Sequence, residues 1–157
     1  METAYHEAGH VVAAVLLGAR VTQATIEPDR DDGPERFGDI RVLWPRGKWT
    51  ERVYHEKLVL TALAGPVAEM IYLGEPLHPG FVAEWADDWE QAFEAAAMIQ
   101  LDERRRIAWL EDRIRYLYRW LDQQHWPAVA ALADELDAHE TLEEEQIIEA
   151  LEPWLPQ

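Results

Sequence analysis

Glu2 to Leu17 reads ETAYHEAGHVVAAVLL, and the reading of the fold turns on this stretch. Ala4, Ala8, Val11, Val12, Val15 and Leu16 recur at helical spacing, and Gly18 follows as a helix-ending residue. On such a helix His6 and His10 stand at i and i+4, one above the other on the same face. Two imidazoles so spaced can ligate one tetrahedral zinc ion, and Glu7 beside them is placed to take a proton from a bound water. H-E-x-x-H fixes only three letters, so a plain pair of surface histidines is the competing reading. The rest of the chain has to separate the two.

Moving outward, Arg20 to Glu27 (RVTQATIE) is β-branched and reads as a strand. Pro28 to Gly38 is a polar, turn-rich loop, and Asp39 to Trp44 (DIRVLW) reads as a second strand, so the two predict a short antiparallel ribbon. Thr50 to Leu73 has a helical pattern through Leu58, Leu60, Leu63, Val67 and Ile71, closed by Gly74. Pro66 falls inside it and predicts a kink or a restart, because proline cannot donate to the carbonyl four residues back. After a Pro/Gly loop from Glu75 to Val82, a helical stretch runs from near Glu84 to about Gln124, with a break expected around Gln100 to Asp102. Trp126-Pro127 restarts a helix, with proline at its first position. Thr141-Leu142-Glu143-Glu144 has the form of a capping box that opens a last short helix. The expected fold class is mainly α (α+β), with the small ribbon following the HEAGH helix. One domain is expected over residues 1–157, with the metal-site part in 1–99 and C-terminal helices in 100–157.

Composition narrows the function. A chain of 157 residues, 48% apolar and with eight tryptophans, can bury a sizeable core and is not a disordered tail. A net charge of −17 makes nucleic acid and anionic membranes poor partners, since no excess of basic charge is available to displace counterions. There is no cysteine, which removes disulfides, thiolate catalysis and Cys-type zinc sites; any metal must sit on His, Asp or Glu. No basic segment precedes an apolar run at the start, and the longest apolar stretch, Val11 to Leu17, is far too short to span a bilayer. A soluble, cytoplasmic protein is the expectation.

A catalytic zinc requires three protein ligands and one open position. Beyond His6 and His10 the candidates for the third are Asp87, Asp88, Glu69, His55 and His78. Five separated segments here resemble the peptidase domain of the FtsH family of ATP-dependent zinc metalloproteases. Thr3 to Gly9 (TAYHEAG) is similar to its opening, and Val21 to Pro28 (VTQATIEP) to the strand after its metal helix. Leu63 to Gly74 (LAGPVAEMIYLG) resembles the helix L-x-G-R-x-A-E-x-x-x-x-G. Asp88 to Ala92 (DWEQA) resembles N-D-L-x-x-A, and Val129 to Ile148 resembles the closing L-x-x-L-A-x-x-L-x-x-x-E-T-L-x-x-x-E-I.

The resemblance implies a zincin-like helical domain with zinc on His6, His10 and Asp88 and with Glu7 as the general base. A slip of one residue would put the ligand at Asp87, where the family has Asn. Glu69 is the other runner-up, because some zincins draw a Glu from the second helix; in this family that position instead supports the site, as an acceptor for an imidazole N–H. His55, His78, His125 and His139 match no family ligand and read as surface histidines. Within these 157 residues there is no Walker sequence, and the expectation is a standalone domain without the family's AAA+ module and membrane anchor. Residues Gln100 to Gln124 are compressed, and Pro66 replaces the usual Arg. The implied activity is zinc-dependent cleavage of peptides or unfolded polypeptides, with substrate delivered where necessary by a separate ATPase partner. An extended substrate would add as a strand beside Asp39 to Trp44. Trp44 and Trp49 are candidates to line a cleft there, core packing being the other account. Two alternatives remain: a catalytically inactive, zinc-stabilised interaction module of the same fold, and a regulatory protease specific for one partner.

Overall fold

The computed structural model describes residues 1–27 and 39–156. The loop assigned to Pro28–Gly38 lies outside the described residues. The first element, α1 (Glu2–Leu16), stops where Gly18 takes a φ of 105°. There the Gly18 N–H donates to the Val15 carbonyl and the Ala19 N–H to the Ala14 carbonyl, at 3.1 and 2.9 Å. This satisfies the last carbonyls of the helix and turns the chain back at once into β1 (Arg20–Thr25).

β1 pairs antiparallel with β2 (Asp39–Leu43), setting Thr25 opposite Asp39 and Arg20 opposite Leu43. The expected ribbon is therefore present, but it is part of a larger sheet. A third strand, β3 (Thr141–Glu143), pairs with the other side of β1 and places Leu142 opposite Ala24, giving the order β2-β1-β3. This corrects the capping box read at Thr141–Glu144. Thr141 and Leu142 are engaged in the sheet with Leu142 fully buried, and the box forms two residues later between Glu143 and Gln146. Burial of an apolar side chain and ladder bonding to a central strand together outweigh one cap.

α2 (Glu51–Leu73) begins at a Thr50 side chain that accepts from the Val53 N–H at 3.3 Å and ends at Gly74, φ 73°. It continues unbroken through Pro66, so no restart occurs. Proline in a helix interior costs about 3 kcal/mol or more. Here the segment from Val59 to Ala68 is buried throughout, and packing against α1 holds the helix together. The crossing is close: a Cβ on Gly9 would come within 2.5 Å of both the Ala64 carbonyl oxygen and the Ala68 Cβ.

Two short 3-10 turns (Pro79–Phe81 and Ala83–Trp85) lead into α3 (Ala86–Ala96). The chain breaks where expected, and Asp102 caps α4 (Glu103–Trp120) by accepting from the Arg104 N–H at 3.0 Å. A π-helical segment, Leu121–His125, joins α4 to α5 (Trp126–His139), and α6 (Glu144–Leu151) follows β3.

The architecture is mainly helical with a small three-stranded antiparallel sheet. One hydrophobic core runs through it, built from Val11 and Leu63 as well as Leu110, Leu117, Val129 and Leu142, so the metal-site part and the C-terminal helices share it. The first turn of α1 is clamped by Tyr5, stacked on Tyr72 of α2 (centroids 4.2 Å apart) and on Trp126 of α5 (5.3 Å). Among the described residues no helix is long and apolar enough to cross a membrane.

Candidate metal centre

His6, Glu7 and His10 lie on the buried face of α1, and all three side chains are largely excluded from solvent. The nitrogen and oxygen atoms they offer lie within 4.8 Å of one another. Asp88 enters from the first turn of α3, held there by Trp85, which is 1% exposed. Its Oδ2 is 2.9 Å from His6 Nε2 and its Oδ1 is 3.3 Å from His10 Nε2, while the two Nε2 atoms are 3.2 Å apart. The two Nε2 atoms and the Asp88 carboxylate, through its two oxygens, thus form a triangle of groups with contacts of 2.9–3.3 Å. Ligands about 2.0–2.1 Å from a tetrahedral zinc stand about 3.3 Å from each other, so two imidazoles and one carboxylate here have the spacing such a site requires.

Behind the rings, His6 Nδ1 donates to Glu69 Oε1 at 3.1 Å, and His10 Nδ1 donates to the Thr61 carbonyl at 2.7 Å. Both partners can only accept, so each Nδ1 carries a proton. The two Nε2 atoms face each other and the Asp88 carboxylate. Without a metal, protons on the imidazoles serve the contacts to Asp88; once they leave, two imidazole lone pairs and a carboxylate form a donor set that fits a divalent metal.

The electrostatics carry the same signature. Burial on its own opposes a charge on His6, yet the hydrogen bonds to Asp88 and Glu69 prevail and push its pKa up to about 10. Burial likewise opposes a charge on His10, and Asp88 again outweighs it, so its pKa also rises. Burial would raise Asp88, but His10 and His6 hold its carboxyl far below the usual carboxylate range. Glu7 goes the other way: burial raises its pKa, against the nearby histidines. No group among the described residues hydrogen-bonds its carboxylate.

Of the residues named from sequence, the structure brings together His6, His10, Asp88, Glu7 and Glu69. Glu69 reaches the rear of the His6 ring and does not face the Nε2 triangle. Asp87 is exposed, one helical step round α3 from Asp88. His55 donates to the Glu51 carbonyl within α2, His78 stands 3.7 Å from Glu111, and His139 stands 3.4 Å from Glu135. Two contributors went unnoticed in the sequence. One is the Thr61 carbonyl, which no side-chain letter encodes. The other is Gly65, where a Cβ would fall inside the His10 ring. Its signal was a glycine at mid-helix, which otherwise costs about 1 kcal/mol relative to alanine.

No protein-family model matches the chain, and no curated protein matches it.

Proposed function

We propose that the chain is a zinc-dependent metallopeptidase of zincin-like arrangement, with zinc on His6, His10 and Asp88 and with Glu7 as general base. One observation carries the reading: two imidazole Nε2 atoms and the Asp88 carboxylate meet at 2.9–3.3 Å while both Nδ1 atoms are tied back to acceptors. Bound zinc supplies a Lewis acid that makes water nucleophilic near neutral pH and polarises a carbonyl.

The chain's own groups do the rest. Glu69 and Thr61 orient the rings and fix their tautomers. Glu7, buried, raised in pKa and without a hydrogen-bond partner among the described residues, takes a proton from the attacking water as its oxygen bonds to the peptide carbonyl carbon. It then returns that proton to the amide nitrogen as the C–N bond breaks, releasing a carboxylate and an amine. β2 is the edge strand of the sheet among the described residues and packs on α1, the helix that carries Glu7. A peptide adding to β2 would therefore run along the helix that carries the base.

The test is zinc analysis joined to cleavage of casein and of short peptides by wild type and Glu7→Gln. The expected result is about one zinc per chain in both proteins and a loss of about 10²–10⁴-fold in rate in the variant. Zinc binding without any cleavage would instead favour a zinc-stabilised interaction module.

A further inference from the structure

The chain is acidic overall, yet its basic charge is uneven. Residues 41–57 hold five basic side chains (Arg41, Arg46, Lys48, Arg52, Lys57) against two acidic ones, and they include both lysines of the protein. This stretch surrounds a depression of about 580 Å³ where β2 ends and α2 begins. Its walls are aromatic: Trp44 meets Trp49 and Tyr54 edge to face, with centroids 6.2 Å apart in each case. Lys57 Nζ lies 4.4 Å above the Trp49 ring and donates to the Leu17 carbonyl at 2.8 Å, which places a cation at the C-terminus of α1. Lys48 lies 5.3 Å above the same ring, and Arg46 forms part of the rim. Among the described residues none of these three cations has a carboxylate within 4.0 Å.

The helix that carries Glu7 gives the distance from this pocket to that residue. α1 packs on β2. Glu7 to Leu16 is nine residues of helix, about 14 Å, and two further residues reach Gly18, where a Cβ would meet Trp49 at 2.9 Å, so the pocket lies about 17 Å from Glu7. An extended peptide paired with β2 covers that span in about five residues. Antiparallel pairing, the more stable mode, puts its amino-terminal part over the pocket.

We propose that this pocket is a remote substrate subsite that takes a large apolar side chain flanked by carboxylates, about five residues before the bond that is cut. The inference rests on the peptidase reading above. Aromatic walls bury the apolar anchor, and the basic rim attracts the flanking carboxylates. A net charge of −17 repels such carboxylates from the protein as a whole, and the basic rim next to β2 offers them a local exception that would fix register and direction.

The experiment uses zinc-loaded Glu7→Gln protein and fluorescein-labelled dodecapeptides, neutral except for an amino-terminal Asp-Phe-Glu, Asp-Ala-Glu or Lys-Phe-Lys. Fluorescence anisotropy should show the Asp-Phe-Glu peptide binding at least tenfold more tightly than either control. That preference should vanish in protein also carrying Arg46→Glu and Lys48→Glu, two exposed substitutions whose folding is checked by circular dichroism. Equal affinity for the three peptides, or a preference that survives the charge reversal, overturns the subsite. Cleavage of the same peptides by the wild-type protein separates the two claims. A preferred peptide that binds and is cut nowhere defeats the peptidase reading alone, whereas cutting without regard to the anchor defeats the subsite alone.

Discussion

At the residue scale the site depends on what stands behind the histidines as much as on the histidines themselves. Gly65→Ala should raise helix propensity by about 1 kcal/mol, yet its methyl would occupy the space of the His10 ring. Zinc affinity, measured by competition with a chelating dye, should therefore fall at least 100-fold; unchanged affinity would show that the ring is not held where it is described. Glu69→Gln can still accept through its amide oxygen, but without charge, and should weaken zinc by about 10- to 100-fold, while Asp87→Asn should leave it unchanged. The protonation states set a pH dependence. In metal-free protein His6 titrates near 10, above its ordinary 6.5, so its stabilisation is complete below pH 6.5 and is lost as pH rises through about 10. Asp88 is depressed below its ordinary 3.8, so its contribution is present above that pH and is lost as pH falls below it. Zinc must displace the protons from the imidazoles. The rise in Tm on adding zinc should accordingly grow from pH 6 to pH 8.5; a constant or shrinking rise would contradict the donor set. The H-E-x-x-H spacing alone identified three of these residues. Asp88 and Asp87 are adjacent letters of equal chemistry, and only the rotation of α3 distinguishes the buried one from the exposed one.

At the element scale, segments with a period or a clear terminus were readable, including the five- and six-residue strands β2 and β1, and the three-residue β3 was not. α1, with its glycine stop, and α2, with its threonine cap, follow from local pattern and capping chemistry. β3 is three residues long, too short to show a period, and its Thr141 and Glu144 imitate a cap. Of the two outcomes read at Pro66, a kink or a restart, the restart does not occur, because the whole middle of α2 is buried and its packing keeps the helix continuous. The turn from α5 into β3 leaves a mark that only the structure reveals. Glu140 takes φ 63° and ψ −43° while its carbonyl accepts from the Ile26 N–H at 2.9 Å. A side chain there is strained, so Glu140→Gly should gain about 1 kcal/mol in urea unfolding, and a loss would contradict that reading. Leu142→Ala should cost about 2–5 kcal/mol, because the side chain is fully buried beneath the sheet.

For the whole molecule, the candidate metal centre joins elements that are distant in sequence. α1 supplies His6, His10 and Glu7, α2 supplies Glu69, Thr61 and Gly65, and α3 supplies Asp88. Chelation should therefore loosen the packing of α3 more than that of α5 or α6, which hydrogen exchange with and without chelator would resolve; uniform protection in both states would contradict this. α1 packs on β2, and the basic aromatic pocket lies where β2 ends, so on the proposed reading one strand, the edge of the sheet among the described residues, would connect chemistry with selectivity. All of this rests on one metal held by two histidines and one aspartate. The most direct measurement is an anomalous-difference map at the zinc edge from crystals of the zinc-loaded protein. The account predicts one peak about 2.0–2.1 Å from His6 Nε2, His10 Nε2 and an Asp88 carboxylate oxygen, with Glu69 still on His6 Nδ1. A map without that peak, or with a peak held by Glu69 or Asp87 while Asp88 turns away, would contradict it.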